Sequence, residues 1–253
     1  MLLERKVIIV TGAASGLGRH YATRLAQEGV RLTLADVDDC SRTADLCEAV
    51  GAEVQSMRID VSSERDTLRM AKHTYDHYGQ IDGLLNNAGI TTKRGLEVRT
   101  ILDVDMAMWD RVFAVNTRGT FLGIRAVYPY MRAQRSGTIV NVSSGSTLRI
   151  SRAPDAINAQ YVASKSAIIG ITRSVARELG QYNINVVTVA PGQTISSTDT
   201  PTPAEEADAQ TEASIQRTGV PDDLAGVMAF LFSEDARFIS GQLIVVNGGR
   251  EVW

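Results

Sequence analysis

Five consecutive residues, Tyr161-Val-Ala-Ser-Lys165, combine side chains that together could move a proton. Positions four apart on a helix lie on one face, one turn above the other. If the stretch is helical, the Tyr161 hydroxyl and the Lys165 ammonium meet over one site. A free phenol titrates near pH ~10, and a cation close by lowers that value by favouring the phenolate. The pair could then act as a proton-transfer group at neutral pH. The same spacing also serves a packed ring beside a solvated charge, so the rest of the chain must decide between the two readings.

The elements that would position this pair follow in regular alternation. Lys6 to Thr11 is a β-branched run that reads as a strand buried on both faces. It runs into Thr11-Gly12-Ala13-Ala14-Ser15-Gly16-Leu17-Gly18, then a helical pattern to about Glu28 that stops at Gly29. A second strand, Arg31 to Ala35, ends at Asp36. Strand, glycine turn, helix, strand and terminal acid form the first unit of a dinucleotide-binding sheet. Glycines let the backbone approach a pyrophosphate, and the free N–H groups at the helix start favour its charge. Further strands are expected at Glu53 to Ile59, Asp82 to Leu85, Thr138 to Val142, Asn185 to Val189 and Gln242 to Val246. Helices are expected from Ser62 or Ser63 to Tyr78, from Ala107 to Gln134, around Tyr161 to Lys165, and from Leu224 to Phe232. Alternating strands and helices predict a doubly wound α/β parallel sheet, with ligands at the carboxyl ends of its strands.

No internal repeat or linker divides the 253 residues, so one domain spanning 1–253 is expected. Gln193 to Gln210 is rich in Thr, Ser, Pro, Ala and acids and offers little to bury. The stretch 193–217 therefore reads as a mobile surface segment without a core of its own, a lid over the substrate.

The motifs identify a resemblance. Thr11 to Gly18 match the TGxxxGxG cofactor turn of the short-chain dehydrogenase/reductase family, Asn86 to Gly89 match NNAG, and Tyr161 to Lys165 match YxxxK. Pro191-Gly192 match the PG element, and the likeness spans essentially the whole chain. It implies a catalytic tetrad of Asn116, Ser144, Tyr161 and Lys165. Tyr161 would exchange the proton with the substrate oxygen, and Ser144 would steady that oxygen by a hydrogen bond. Lys165 would lower the tyrosine pKa and hold the nicotinamide ribose, and Asn116 would hold a water near Lys165. Read by type alone, Ser144 could equally be a strand-end turn residue, and Asn116 a mid-helix polar group bonded within its own turn.

The resemblance also implies a cofactor, with contacts from Gly12, Ser15, Gly16, Leu17, Gly18, Asp36, Asp60, Val61, Asn87, Ala88, Gly89, Tyr161, Lys165, Pro191, Gly192 and Thr194. An acid at the end of the second strand suits the free ribose of NAD and repels the extra phosphate of NADP. Where NADP-preferring relatives place a basic residue, this chain has Ser15 and Val37, so NAD is expected. Asp60 could instead be an ordinary helix N-cap, and the two roles can coexist. Enoyl reductases of the same fold space their Tyr and Lys more widely than Tyr161 and Lys165. The implied reaction is therefore the interconversion of a secondary alcohol and a ketone, with a non-catalytic NAD-binding sensor as the alternative.

There are departures from the family pattern. The stretch Gly145 to Gln160 between Ser144 and Tyr161 is longer than usual and carries Arg149 and Arg152. With Lys93 and Arg94 these could bind an anionic substrate group, or they could simply be solvated or paired with Glu97 and Asp155. Gln193-Thr194-Ile195-Ser196 is shifted relative to the family, which bears on Thr194 as a contact.

Composition narrows the rest. A net charge of -3 gives no reason to expect nucleic acid. No apolar run approaches the ~20 residues that cross a bilayer, and a soluble cytoplasmic protein is expected. Three histidines (His20, His73, His77) and two cysteines (Cys40, Cys47) form no metal-ligand pattern, and the cysteines read as packing residues. Apolar residues on more than one face of Val112 to Tyr128, and Ile168, Ile169, Ile171 and Val175, predict a buried second face. The family resemblance implies that these helices pair between subunits of a homotetramer.

Overall fold

The computed structural model describes residues 2–91, 101–148, 158–195 and 203–250. Seven strands, β1 (Val7–Thr11), β2 (Arg31–Asp36), β3 (Val54–Arg58), β4 (Gly83–Asn86), β5 (Gly137–Val142), β6 (Ile184–Pro191) and β7 (Leu243–Val246), form one sheet. Its order is β3-β2-β1-β4-β5-β6-β7, and every neighbouring pair is parallel. Parallel strands need crossovers, and the helices that provide them cover both faces. The pleat sorts the residues of β1 accordingly. Ile8 and Val10 enter one core with Leu25, Met228 and Phe232, while Ile9 enters the other with Leu84, Ile124 and Val127. Each such fully buried aliphatic side chain contributes about 1.5–3 kcal/mol relative to exposure.

One face carries α1 (Gly16–Gln27), α2 (Ser41–Glu48) and α8 (Pro221–Leu231); the other carries α3 (Glu64–Tyr78), α5 (Gly119–Gln134) and α6 (Ala159–Gly180). Ser63 caps α3 by accepting from the Asp66 N–H, and Gly79 ends it with φ 77°. Cys40 stands at the start of α2 and Cys47 inside it. Both are buried free thiols, pushed up by burial to about 12 and about 11 respectively.

Three features differ from the expectation. The helix expected from Ala107 to Gln134 is two α-helices, α4 (Met106–Phe113) and α5, joined by a π-helical turn over Ala114–Arg118. The π turn inserts a residue and thereby re-aims the side chains it carries, Asn116 among them.

The central strands carry a buried polar row that their expected bounds did not reveal. Asn86 Nδ2 donates to Asn141 Oδ1 at 2.9 Å and to the Thr120 carbonyl at 3.2 Å. Asn141 Nδ2 and the Thr188 hydroxyl both reach Thr172 Oγ1, at 2.9 and 2.7 Å. Buried polar groups are tolerated because each finds a partner, and here they join β4, β5 and β6 to the helices over them.

Finally, the stretch 193–217 contains a helix, α7 (Pro203–Glu212), with Ala209 and Ala213 buried. Proline suits a first helical position, and alanines pack closely without large apolar side chains, so composition understated what this stretch can bury. Residues 196–202 lie outside the described part.

Candidate active site

The strand order turns back on itself between β1 and β4, and the ligand crevice of such a sheet lies at the carboxyl ends there. The glycine turn after β1 and Asn86 to Gly89 after β4 meet at this point. Gly12 has φ +67°, and a Cβ on it would stand 2.8 Å from Ala88 Cα. A Cβ on Gly18 would stand 1.9 Å from the Gly12 oxygen, so only glycine lets α1 start this close to the strand. Asn87 Nδ2 donates to the carbonyls of Thr11 and Gly12 at 3.0 and 3.2 Å. The Thr11 hydroxyl oxygen accepts from the N–H groups of both Asn87 and Ala88 at 3.1 Å.

At the N-terminus of α1, Ser15 makes no side-chain cap and the first turn holds no acid. Uncapped N–H groups at Gly16, Leu17 and Gly18 form a site of the kind that takes a phosphate. The residues present therefore fit a dinucleotide.

Asp36 closes β2 beside this turn. Its carboxylate accepts from Ala14 N at 2.9 Å and from Asp38 N at 3.1 Å, so the negative charge is held at a fixed place. Asp60 is not the cap of α3, which is Ser63. It accepts instead from the backbone N–H and hydroxyl of Ser62 at 2.9 and 2.7 Å. The Ser62 hydroxyl in particular holds its carboxyl below the usual carboxylate range. Val61, beside it, is buried under Gly119, whose Cβ would stand 2.9 Å from Val61 Cγ2.

The four candidate catalytic side chains come from three elements. Ser144 stands just past β5, Tyr161 and Lys165 lie one turn apart on α6, and Asn116 lies in the π turn. Ser144 Oγ accepts from the Ser146 hydroxyl at 2.9 Å, and the Ser144 side chain near the Tyr161 phenol favours phenolate. Burial outweighs that influence and pushes the Tyr161 phenol above its ordinary value. The expected lowering by Lys165 is not among the causes of this shift. The Lys165 ammonium is only 4% exposed and donates to the Val142 carbonyl at 2.8 Å. Burial lowers its own pKa to about 8, so the cation is itself disfavoured.

Asn116 is fully buried, and its amide pairs with the Ile90 peptide in both directions, at 2.8 and 2.9 Å. Its remaining amide hydrogen goes to Ser164 Oγ at 3.0 Å. The amide therefore clamps the chain past Gly89 onto α6, a use that neither the water role nor a bond within its own turn anticipates. Gly89 is where the groups converge. A Cβ there would stand 3.1 Å from Lys165 Nζ and 3.3 Å from Asn116 Oδ1.

Pro191-Gly192 close the opposite side. A Cβ on Gly145, next to Ser144, would stand 3.1 Å from the Pro191 oxygen, and Gly192 N donates to the Val246 carbonyl at 2.8 Å. Thr194 Oγ1 donates to the Gly192 carbonyl at 3.1 Å, and Thr194 bridges to Gly219.

A family model described as enoyl-(acyl carrier protein) reductase matches residues 12–251. Levodione reductase of Leifsonia aquatica is 35% identical over 97% of this chain and 94% of its own length. A crystal structure of a levodione reductase matches with a TM-score of 0.86, at 32% identity over 98% of each chain. The chain belongs to the short-chain dehydrogenase/reductase family. Another relative in this family, a 3-oxoacyl-[acyl-carrier-protein] reductase of Thermotoga maritima, is 38% identical over 98% of this chain and 99% of its own. A short-chain dehydrogenase/reductase structure from Serratia marcescens matches with a TM-score of 0.89, at 26% identity over all of both chains. The chain is thus an oxidoreductase of the short-chain type, whose fold binds a nicotinamide dinucleotide and acts on small molecules.

Several residues of the site escaped the sequence reading. Asn141, Ser164, Thr172 and Thr188 read as ordinary helix and strand residues because their partners are distant in sequence. The one available signal was their type, since a polar residue in a run otherwise buried must find a partner. Lys93, Arg94, Arg149 and Arg152, considered for an anionic substrate group, lie outside the described residues. Among the described residues, no helix is long and apolar enough to cross a membrane.

Proposed function

We propose that the chain is an NAD(H)-dependent oxidoreductase that interconverts a secondary alcohol and a ketone, with Tyr161 as the acid/base. The observation that carries this reading is a buried Tyr161 phenol, its pKa raised by that burial, beside Ser144 and one helical turn from Lys165. A phenol kept protonated is the form that donates to a carbonyl oxygen, so this resting state suits ketone reduction. In the reverse direction the phenolate would take the alcohol proton. Ser144 would share the substrate oxygen and steady its developing charge.

The bound nicotinamide supplies or accepts the hydride. Gly12, Ser15, Gly16, Leu17 and Gly18 would hold its pyrophosphate side, with Asn87, Ala88, Gly89, Pro191, Gly192 and Thr194 lining the reacting side. Lys165 would hold the ribose next to Tyr161. Asp36 supports NAD over NADP, since its fixed charge faces the place of the adenosine ribose in this fold. Asp60 and Val61 would flank the adenine. Two relatives are named reductases, one of them for a 3-oxoacyl group, which agrees with a carbonyl as the reacting centre. A soluble cytoplasmic enzyme is the setting we assign.

The test is oxidation of NADH, with NADPH in parallel, over cyclic ketones, diketones and 3-oxoacyl thioesters. Tyr161→Phe should keep NADH affinity and lower turnover by about 10²–10⁴-fold, the range for losing a positioned proton donor. Near-normal rates in that variant would remove Tyr161 from its role. Tight NADH binding with no turnover across a broad panel would point to a sensor instead.

A further inference from the structure

The turn Asn247–Arg250, which follows β7, is fastened to three separate parts of the chain around α7. Arg250 Nη1 donates to Gln193 Oε1, just past β6, at 2.7 Å. Its Nη2 pairs with Asp208 Oδ2 in α7. Beyond α7, the Ser214 hydroxyl donates to the Gly249 carbonyl at 3.1 Å, and Ile215 N donates to the Gly248 carbonyl at 2.8 Å. The approach is close. Gly249 has φ +76°, and a Cβ on it would stand 2.7 Å from Ser214 Oγ.

The Arg250 side chain is 4% exposed and that of Asp208 43%. Arg250 lines a cavity of about 190 Å³ together with Gln193, Thr194, Ala209, Ile215 and Val246. Among the described residues its buried Nε has no hydrogen-bond partner. Burying a guanidinium is costly, and a buried ion pair is a poor way to gain stability. Such a pair is better suited to fixing one arrangement, because breaking it strands a charge away from water. A planar fork that reaches two segments at once suits that task better than a point charge would.

We propose that Arg250 is a positioning residue, a latch that seats α7 on the carboxyl end of β6. By holding Gln193 it fixes the neighbouring Thr194 and the Pro191-Gly192 edge on which Gly145 rests. That last step relies on the reading of this edge, given above, as part of the cofactor site. None of the latch contacts belongs to the sheet ladder, so releasing it frees α7 while the sheet stays intact.

Hydrogen exchange on the whole protein without nucleotide tests the latch, with NADH affinity measured separately. In Asp208→Asn and in Arg250→Gln, exchange across 206–219 should rise about tenfold, a coupling normal for residues in contact, while sheet amides stay unchanged. The double variant should exchange no faster than the faster single. Arg250→Lys should recover part of the protection, since it keeps the charge and loses the fork. NADH affinity should fall several-fold in Arg250→Gln. Unchanged exchange in both single variants, strictly additive effects, or loosened exchange with wild-type NADH affinity would each overturn the proposal. A wild-type protein that binds neither NADH nor NADPH would overturn the functional reading instead, and the exchange result would still decide whether the latch exists.

Discussion

Lys165 Nζ bonds the Val142 carbonyl at 2.8 Å and stands 5.9 Å from the centroid of the Tyr161 ring. The cation is fastened to the last residue of β5, and the phenol lies beside Ser144, two residues further on. The pair shares a helix face, and both members face the carboxyl end of β5.

This arrangement predicts a pH dependence of stability. An unfolded Lys keeps its proton to about pH 10.4, whereas Lys165 in the native protein releases it near about 8. Between these values the unfolded state binds more protons, so the free energy of unfolding rises with pH. Below about 8 both states are protonated and the cost of burying the charge is present in full. The rise should be of order 2 kcal/mol between pH 7 and 9.5 and absent in Lys165→Met. Tyr161, shifted upward, acts in the opposite sense only above about 10, where the unfolded phenol ionises first. Urea unfolding of the nucleotide-free protein between pH 7 and 9.5 measures this. Parallel curves for both proteins would refute it.

Asp36→Asn should shift nucleotide preference toward NADPH. The amide can still accept from Ala14 N, so the turn is kept while the charge is removed. Removing a like-charge clash worth a few kcal/mol should raise the NADPH-to-NADH ratio of kcat/KM by about tenfold or more. An unchanged ratio across several substrates would count against Asp36 as the discriminating residue.

Gly123→Ala should destabilise the protein although alanine favours a helix. Its Cβ would stand 2.4 Å from Asn86 Oδ1, and Asn86 is held by both Thr120 and Asn141. Overpacking of this kind costs about 1–3 kcal/mol, more than the ~1 kcal/mol gained in helix propensity. Gly226→Ala, in α8 with nothing within 4 Å of its Cβ, should instead stabilise by up to ~1 kcal/mol. Thermal or urea midpoints decide, and equal shifts in the two variants would discredit the steric argument.

The protein should assemble as a homotetramer. Phe121 on α5 is 45% exposed, and with Phe113, Ala114 and Ile171 it lines a shallow hollow between α4, α5 and α6. An apolar second face on paired helices gains by being covered. Light scattering at assay concentration would disprove this by returning the monomer mass.

Features that depend on neighbours along the chain can be read from the chain alone. β1, the glycine turn, α1 and β2 with Asp36 were legible because their signals lie within about ten residues of one another, as periodic burial, helix stops and turn chemistry. The placing of Tyr161 and Lys165 on one helix face followed from the 3.6-residue repeat. Where their polar atoms go follows from packing across the sheet. Lys165 is bound by a carbonyl of β5, the Asn116 amide by the peptide of Ile90 and by Ser164, and Asn86 by Asn141. Asp208 of α7 likewise pairs with Arg250, beyond the last strand. A hydrogen bond specifies a partner within about 3 Å, and residues that far apart in sequence meet only when strands and helices pack across the sheet. The raised pKa of Tyr161 has the same origin, because burial is a property of everything packed around a residue, which no spacing along the chain records.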